Sequence, residues 1–273
     1  MARWTIDEPA GITLEKLTEL KVRIVAGHID VIATDDRPRL DVLDVEGPEL
    51  LITEEDGVLT VTYEDLTWEG IMKWLRPRYK RKTALAVMVP PECRVELGVV
   101  SATAVIAGTT GGVTARGVAG DITLDGVSGE TTVQTVSGDL EARDLSGRLN
   151  YGTVQGDLTI AGGTVEQLYA KTVNSKIMAD VDLADRCRVR LSTMSGFITL
   201  RVPENPGAFV ELRSTSGGVT SAFDGMTRAD GPGAASLTGH VGEGTGSVTA
   251  VTISGDVTLL RRDAPEAVTH EEN

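Results

Sequence analysis

The chain has 273 residues, 41% of them hydrophobic but only 4% aromatic, and it carries a formal net charge of −14 at pH 7. This length allows one large all-β domain or two ordinary domains, and the 31 glycines favour short strands and tight turns over a core of bulky side chains. The acidic charge argues against DNA or RNA as a partner, because phosphate binding needs a basic surface.

Residues 1–98 show strand signals without a regular period. In LLITEEDGVLTVTYED, two alternating runs are separated by Asp56-Gly57, and this arrangement predicts a β-hairpin. The stretch VAGHIDV from Val25 to Val31 carries a corner pattern that recurs later in the chain. The N-terminal part is therefore predicted to be an irregular, strand-rich region and cap that is continuous with the repeats after it.

One segment of this part, residues 63–82, stands apart in composition. It reads YEDLTWEGIMKWLRPRYKRK and holds four of the ten aromatic residues and six bases. Helical spacing places four apolar side chains on one face of a two-turn helix that ends at Pro77. A helix this short is only marginally stable unless its apolar face packs against a partner. This face is expected to cap the end of the core, or to dock onto an acidic protein or an anionic membrane surface. The residues expected to carry docking are Trp68, Ile71, Met72, Lys73, Trp74, Arg76, Arg78, Lys80, Arg81 and Lys82.

Residues 99–262 contain a nine-residue repeat. From Val118 to Gly162 the chain reads VAGDITLDG, VSGETTVQT, VSGDLEARD, LSGRLNYGT and VQGDLTIAG. Positions 5 and 7 of each unit are mostly apolar and position 6 is polar, which is the period of a strand with one face toward a core. The glycine at position 3 is typical of a corner with positive φ. Two units predict one coil, and the fold class is a single-stranded parallel β-solenoid (β-helix) of about 18–21 residues per coil.

The remaining details of the repeat concern its corners. The aliphatic residues at position 1 are expected to face the core together with positions 5 and 7. After Gly156 the corner motif recurs at spacings of 19 and then 21 residues, and again at Gly255, which predicts one recognisable corner per coil with an irregular opposite corner. Residues 263–273 form an acidic tail that is predicted to be disordered.

The repeated pattern V/T-S-G-D-[VIL]-x-[LVA], closing on TISGDVTLLRR, resembles a bacterial "putative adhesin" β-strand-repeat family of unknown function, also called the toastrack domain. The resemblance runs from about Trp4 to Arg262. It implies a β-helix-like fold and, in some family members, a genomic or physical link to envelope-stress systems.

Three groups of residues have side chains that could carry chemistry. Asp121, Asp139 and Asp157 share one corner position and predict a carboxylate ladder, a weak candidate for Ca²⁺, although turn residues bonded to the backbone explain them as well. Asp180 and Asp182 share a strand face, as the paired acids of a glycosidase do, but surface charge is the simpler interpretation. Three scattered histidines and two distant cysteines do not form a zinc pattern. No catalytic residue and no cofactor are predicted.

The compartment is expected to be the cytoplasm. No apolar run approaches the roughly 20 residues of a membrane-spanning helix, and the stretch MARWTIDEPAG lacks the apolar core of a secretory signal. Cys93 and Cys187 lie too far apart in sequence to indicate a disulfide framework. The protein is therefore expected to be cytoplasmic, at most peripheral to the inner face of the membrane.

These features predict a non-enzymatic scaffold or protein-interaction module, with a link to envelope stress implied by the family resemblance. One alternative is a self-assembling structural protein that stacks its solenoid ends, as bactofilins do. A second alternative is a carbohydrate-active β-helix enzyme.

Overall fold

The computed structural model describes residues 2–64, 81–231 and 234–262, and every regular element in these ranges is a β-strand. The all-β prediction is therefore confirmed for the described chain. No helix long and apolar enough to cross a membrane occurs in those ranges. The strands are β1 (Ala2–Ile6), β2 (Ala10–Thr13), β3 (Glu19–Ala33), β4 (Arg39–Glu46), β5 (Leu50–Glu55), β6 (Val58–Tyr63), β7 (Lys82–Val89), β8 (Arg94–Ala107), β9 (Val113–Ala119), β10 (Ile122–Asp125), β11 (Ser128–Gln134), β12 (Leu140–Arg143), β13 (Ser146–Gly152), β14 (Leu158–Lys171), β15 (Ile177–Ser195), β16 (Ile198–Pro203), β17 (Ala208–Ser216), β18 (Val219–Ser221), β19 (Thr227–Gly231), β20 (Ala234–Val241), β21 (Gly246–Ser254) and β22 (Val257–Arg262).

The nine-residue unit builds coils of 18 residues, as predicted. In one ladder Ile122 pairs in parallel with Leu140, which pairs in turn with Leu158. In the second ladder Thr131 pairs with Leu149 in the same way. Each coil therefore contributes one strand to each of two parallel ladders, β10–β12–β14 in the first and β9–β11–β13 in the second.

The core consists of the residues that the alternation places inward. All ten side chains at positions 5 and 7 of the repeat are buried: Ile122, Leu124, Thr131, Val133, Leu140, Ala142, Leu149, Tyr151, Leu158 and Ile160. The corner glycines of the five units all have positive φ, as predicted. The predicted hairpin is also present, because β5 and β6 pair antiparallel across Asp56 and Gly57, both at positive φ.

The expectation for position 1 was wrong at every second unit. Val127 and Leu145 are buried, but Val118, Val136 and Val154 are 44–50% exposed. The two kinds of corner differ by one residue. Before Val127 and Leu145 one residue in the left-handed region interrupts the inward–outward alternation, Gly126 at φ 59° and Asp144 at φ 48°. This interruption turns the next side chain inward. At the other corners the alternation continues without an insertion, and position 1 points outward.

The last coils do not stack in the order of the sequence. Val257 of the C-terminal strand β22 pairs with Ile198 on one side and with Val219 on the other. Strand β21 lies between β15 and β17 in the same way. The final coil is thus inserted between two coils that precede it in sequence, and Gly255 lies between Gly196 and Gly217.

A matching insertion occurs near the N-terminus. Strand β3 pairs in parallel with β8 on one side and with β6 and β7 on the other, although β6 and β7 lie between β3 and β8 in sequence. Antiparallel strands then cover both ends of the stack. These are β1, β2, β4 and β5 at the N-terminal end and the β19–β20 hairpin at the other. The fold is therefore a stack of parallel coils with antiparallel ends, and not a uniformly parallel solenoid.

Part of the predicted docking segment lies outside the described residues, namely Trp68, Ile71, Met72, Lys73, Trp74, Arg76, Arg78 and Lys80, as does the tail 263–273. Its last two residues are described. Lys82 begins β7, and the guanidinium of Arg81 lies 5.4 Å from the ring centroid of Tyr63, within cation–π distance. Tyr63 itself is buried and its hydroxyl bonds the hydroxyl of Thr83 at 2.7 Å.

Candidate functional site: an apolar ridge and a basic face

A row of exposed aliphatic side chains runs along one edge of the coils. We call it the aliphatic ridge. Backbone hydrogen bonds join the corners of successive coils along this row. For example, the amide of Ser137 donates to the carbonyl of Val118 at 2.8 Å. The six side chains are 40–53% exposed. With five steps of about 4.8 Å between coils, the row is about 24 Å long. The ridge consists of Val118, Val136, Val154, Val173, Met194 and Ile253.

A column of buried threonines holds the ridge in place from inside. The hydroxyl of Thr193 donates to the carbonyl of Val173 in the preceding coil at 3.4 Å, and that of Thr252 donates to the carbonyl of Gly196 at 3.3 Å. These bonds join adjacent turns of backbone at the corner, so the ridge residues are held on a stiff edge. The signal for this column is present in the sequence, since a threonine directly precedes the ridge residue in TVSGD, TVQGD, TVNSK, TMSGF and TISGD.

A second surface, which sequence reasoning missed, is basic. Strand β15 alternates buried Cys187, Val189 and Leu191 with outward Arg186, Arg188 and Arg190, and Lys171 is exposed on the neighbouring strand β14. We call Lys171, Arg186, Arg188 and Arg190 the basic face. Among the residues that the structure describes, none of the four forms an ion pair with a carboxylate. The alternation of arginines in RCRVRL was visible in the sequence, but only the pairing of β14 with β15 adds Lys171.

The aspartate ladder exists, and its carboxylates bond the backbone. Asp121 Oδ1 accepts a hydrogen bond from the amide of Asp139 at 2.9 Å, and Asp139 Oδ1 accepts one from the amide of Asp157 at 2.8 Å. Asp157 then accepts from the amide of Lys176 at 2.8 Å. Each side chain thus ties its corner to the next coil, and no cluster of three metal-ligating side chains occurs in the described ranges.

Asp180 and Asp182 are bound by arginines. Arg201 and Arg262 both bond Asp180, and Arg262 also reaches Asp182. These contacts, led by the hydrogen bond from Arg201, hold the pKa of Asp180 below its ordinary value. A general acid in a glycosidase needs the opposite shift. The pair instead attaches the C-terminal strand β22 to the strands beside it.

The lowered pKa predicts a pH dependence. A carboxyl whose pKa is lowered by folding contributes stability above its ordinary pKa of 3.8, and this contribution is lost as pH falls through the lowered value. Asp180→Asn is expected to reduce stability near pH 7 by less than about 1 kcal/mol, as for a partly exposed ion pair. Urea unfolding of both proteins should show this difference shrinking at pH 3. Asp35→Asn, at an exposed loop position, is the control, and a difference that grew in acid would contradict the assignment.

His28 is the only histidine in the described ranges with side-chain bonds on both ring nitrogens. Nδ1 lies 2.7 Å from the Thr103 hydroxyl and Nε2 lies 2.8 Å from a carboxylate oxygen of Asp30. The three side chains lie on the outward face of the paired strands β3 and β8, whose backbone amides are already hydrogen-bonded within the sheet. A nucleophile here would have no free backbone amides beside it to stabilise an oxyanion. Thr103, His28 and Asp30 therefore do not form a hydrolytic site.

The two cysteines are not bonded to each other. Both are buried, and burial raises the pKa of the Cys93 thiol to about 12 and that of the Cys187 thiol as well. Both thiols are therefore protonated near neutral pH and are poor nucleophiles and metal ligands.

The comparisons with known proteins agree with the repeat architecture. A family profile described as Toastrack DUF4097 matches residues 22–260. The chain belongs to the Toastrack family. This confirms the resemblance carried by the SGD corners, and the family is one of unknown function. No curated protein sequence matches the chain significantly.

Solved structures resemble this Toastrack chain across almost its whole length. A putative adhesin from Parabacteroides distasonis is 13% identical, with 93% of this chain and 96% of that chain covered at a TM-score of 0.51. A putative adhesin from Bacteroides fragilis is also 13% identical, with 93% and 98% covered at a TM-score of 0.50. At these identities the similarity shows a shared fold.

Proposed function

We propose that this Toastrack protein is a non-enzymatic interaction module that docks a partner through the aliphatic ridge. One observation carries the proposal: six exposed aliphatic side chains form a continuous row at corners where a polar residue would cost nothing in core packing. Single exposed apolar residues are ordinary on protein surfaces, but a contiguous row marks a contact surface. The threonine column beneath the ridge supports this, because a preformed surface loses little entropy on binding.

The non-enzymatic assignment is supported by what surrounds the acids and the histidine of the described chain. Asp121, Asp139 and Asp157 bond backbone amides, and Asp180 is paired with arginines. The two similar structures are named as adhesins and not as enzymes. The cytoplasmic location and the link to envelope stress belong to the proposal too, and the unbonded cysteines are compatible with a reducing compartment.

Self-assembly by end stacking stays a prediction. The short strands β1, β2 and β18 lie at the ends of the ladders, and short edge strands are one of the ways in which natural sheets limit edge pairing. This observation makes the docking module the stronger proposal.

The proposal predicts contacts specific to the ridge. A photo-crosslinking amino acid at Val154 should give a discrete product in cells of the source organism, whereas the same probe at Leu43, an equally exposed apolar residue off the ridge, should not. Introducing Val136→Asp and Val173→Asp should remove the product. The control pair Ile32→Asp and Leu43→Asp should leave it unchanged. Equal products from both probe positions, or a product insensitive to the ridge substitutions, would contradict the proposal.

A further inference from the structure

The coils around β15 carry a net positive charge, opposite in sign to the net charge of the whole chain. Residues 167–201 contain six bases and three acids, a net charge of +3 within a chain of −14. Two of the acids, Asp180 and Asp182, are bound by Arg201 and Arg262 on the other ladder. The positive charge is therefore concentrated on the outward side of the second ladder, where the basic face lies.

The register neighbours of Arg188 and Arg190 are uncharged, whereas the exposed Asp185 directly precedes Arg186. Arg188 stands between Gln167 of β14 and Ser247 of β21 in register, and Arg190 stands between Tyr169 and Thr249. Adjacent strands are about 4.8 Å apart, so these neighbours form a flat polar surface around the arginines. A Debye length of about 8 Å at physiological salt means that the acids elsewhere on the chain weaken this local field only partly.

The basic face ends at the ridge. Lys171 is two residues before Val173 on the same outward side, a separation of about 7 Å along the strand. Arg190 is four residues before Met194, and Met194 neighbours Ile253 in the next coil. Beyond the corner, the side chain of Phe197 is 51% exposed. Exposed apolar and unpaired basic side chains therefore occur together on the coils that contain β14 and β15.

We propose that this surface, the basic face with Val173, Met194, Ile253 and Phe197, docks onto an anionic lipid surface. The inference rests on the proposed function, since it names the partner of the ridge. An apolar row that enters the interface and bases that meet acidic headgroups are the two signals that peripheral membrane binding requires. A convex corner with a flat face beside it fits a plane.

Vesicle flotation with the full chain tests the inference. Binding is expected to vesicles of equal parts phosphatidylglycerol and phosphatidylcholine and not to phosphatidylcholine alone, and it should be lost at about 1 M salt. Arg188→Glu with Arg190→Glu should weaken binding more than tenfold, since each base contributes about fivefold near an anionic surface. Arg37→Glu with Arg94→Glu, an identical charge change elsewhere, should weaken it little. Thermal melts check that every variant folds.

The apolar half of the surface is tested separately. Met194→Ser with Ile253→Ser should weaken binding to the anionic vesicles, whereas Ile32→Ser with Leu43→Ser should not. Equal effects of both pairs, or binding to soluble polyphosphate that needs the arginines but not Met194 and Ile253, would show a generic anion site and overturn the inference. Loss of vesicle binding through Arg76→Glu with Arg78→Glu alone, with Arg188 and Arg190 dispensable, would overturn it in favour of segment 63–82.

The two proposals fail in different ways. If the vesicle experiments fail but the probe at Val154 still gives a ridge-dependent protein product, the lipid assignment is wrong and the docking module stands. If neither vesicle binding nor a ridge-dependent product is found, both proposals are wrong.

Discussion

Replacing Leu140 by aspartate is expected to lower the free energy of unfolding by at least about 3 kcal/mol. The side chain is only 1% exposed and is stacked in register between Ile122 and Leu158 of the adjacent coils. An aspartate there would be a charge without a partner inside an aliphatic column, or a protonated acid with unsatisfied oxygens. Both outcomes remove the apolar contact to two coils at once. Urea or thermal unfolding measured by circular dichroism would give the difference.

Glu141 provides the matched control one residue away. It is exposed and forms a surface ion pair with Arg143 at 2.7 Å. Glu141→Asp should change stability by no more than about 0.5 kcal/mol. If the two variants unfolded alike, the alternation that defines the inside of the coil would be incorrect.

The second large effect is expected at the corner glycine Gly138. Its φ is +120°, which side chains rarely adopt, and an added Cβ would lie 2.3 Å from the carbonyl oxygen of Gly120 in the coil below. Because that oxygen belongs to the backbone of the corner stacked directly on Gly138, the overlap can be relieved only if the two corners move apart. Gly138→Ala is expected to cost more than about 3 kcal/mol, beyond the conformational strain of about 1–3 kcal/mol alone.

Two other glycines separate strain from crowding. Gly126 has φ +59° with no atom within 4 Å of an added Cβ, so Gly126→Ala should cost about 1 kcal/mol through backbone strain only. Gly152 has neither a positive φ nor a close neighbour, and Gly152→Ala should be neutral or slightly stabilising. Thermal melts should rank the three variants in this order. A Gly138 variant as stable as the Gly152 variant would disprove the close stacking of corners.

The lipid proposal and the earlier docking prediction concern different surfaces. The sequence directed attention to residues 63–82 because six bases and four aromatic residues are adjacent there in the chain. The basic face and the apolar residues beside it show the same combination of charge and apolar surface, but they come from strands that are separated in sequence, among them β14, β15 and β21. Only strand pairing brings Lys171, Arg190 and Ile253 onto one side of the molecule.

The sequence by itself determined the repeating unit: an 18-residue coil with positions 5 and 7 inward, a glycine corner and a hairpin at Asp56-Gly57. These are local properties, because alternation and positive φ depend on a few consecutive residues. Only the tertiary structure decided the order of the coils, since the corners at Gly196, Gly217 and Gly255 have the same chemistry and any two of them could pair. It also decided that the ridge is exposed, because the direction of a corner side chain depends on whether one left-handed residue, such as Asp144, is inserted before it.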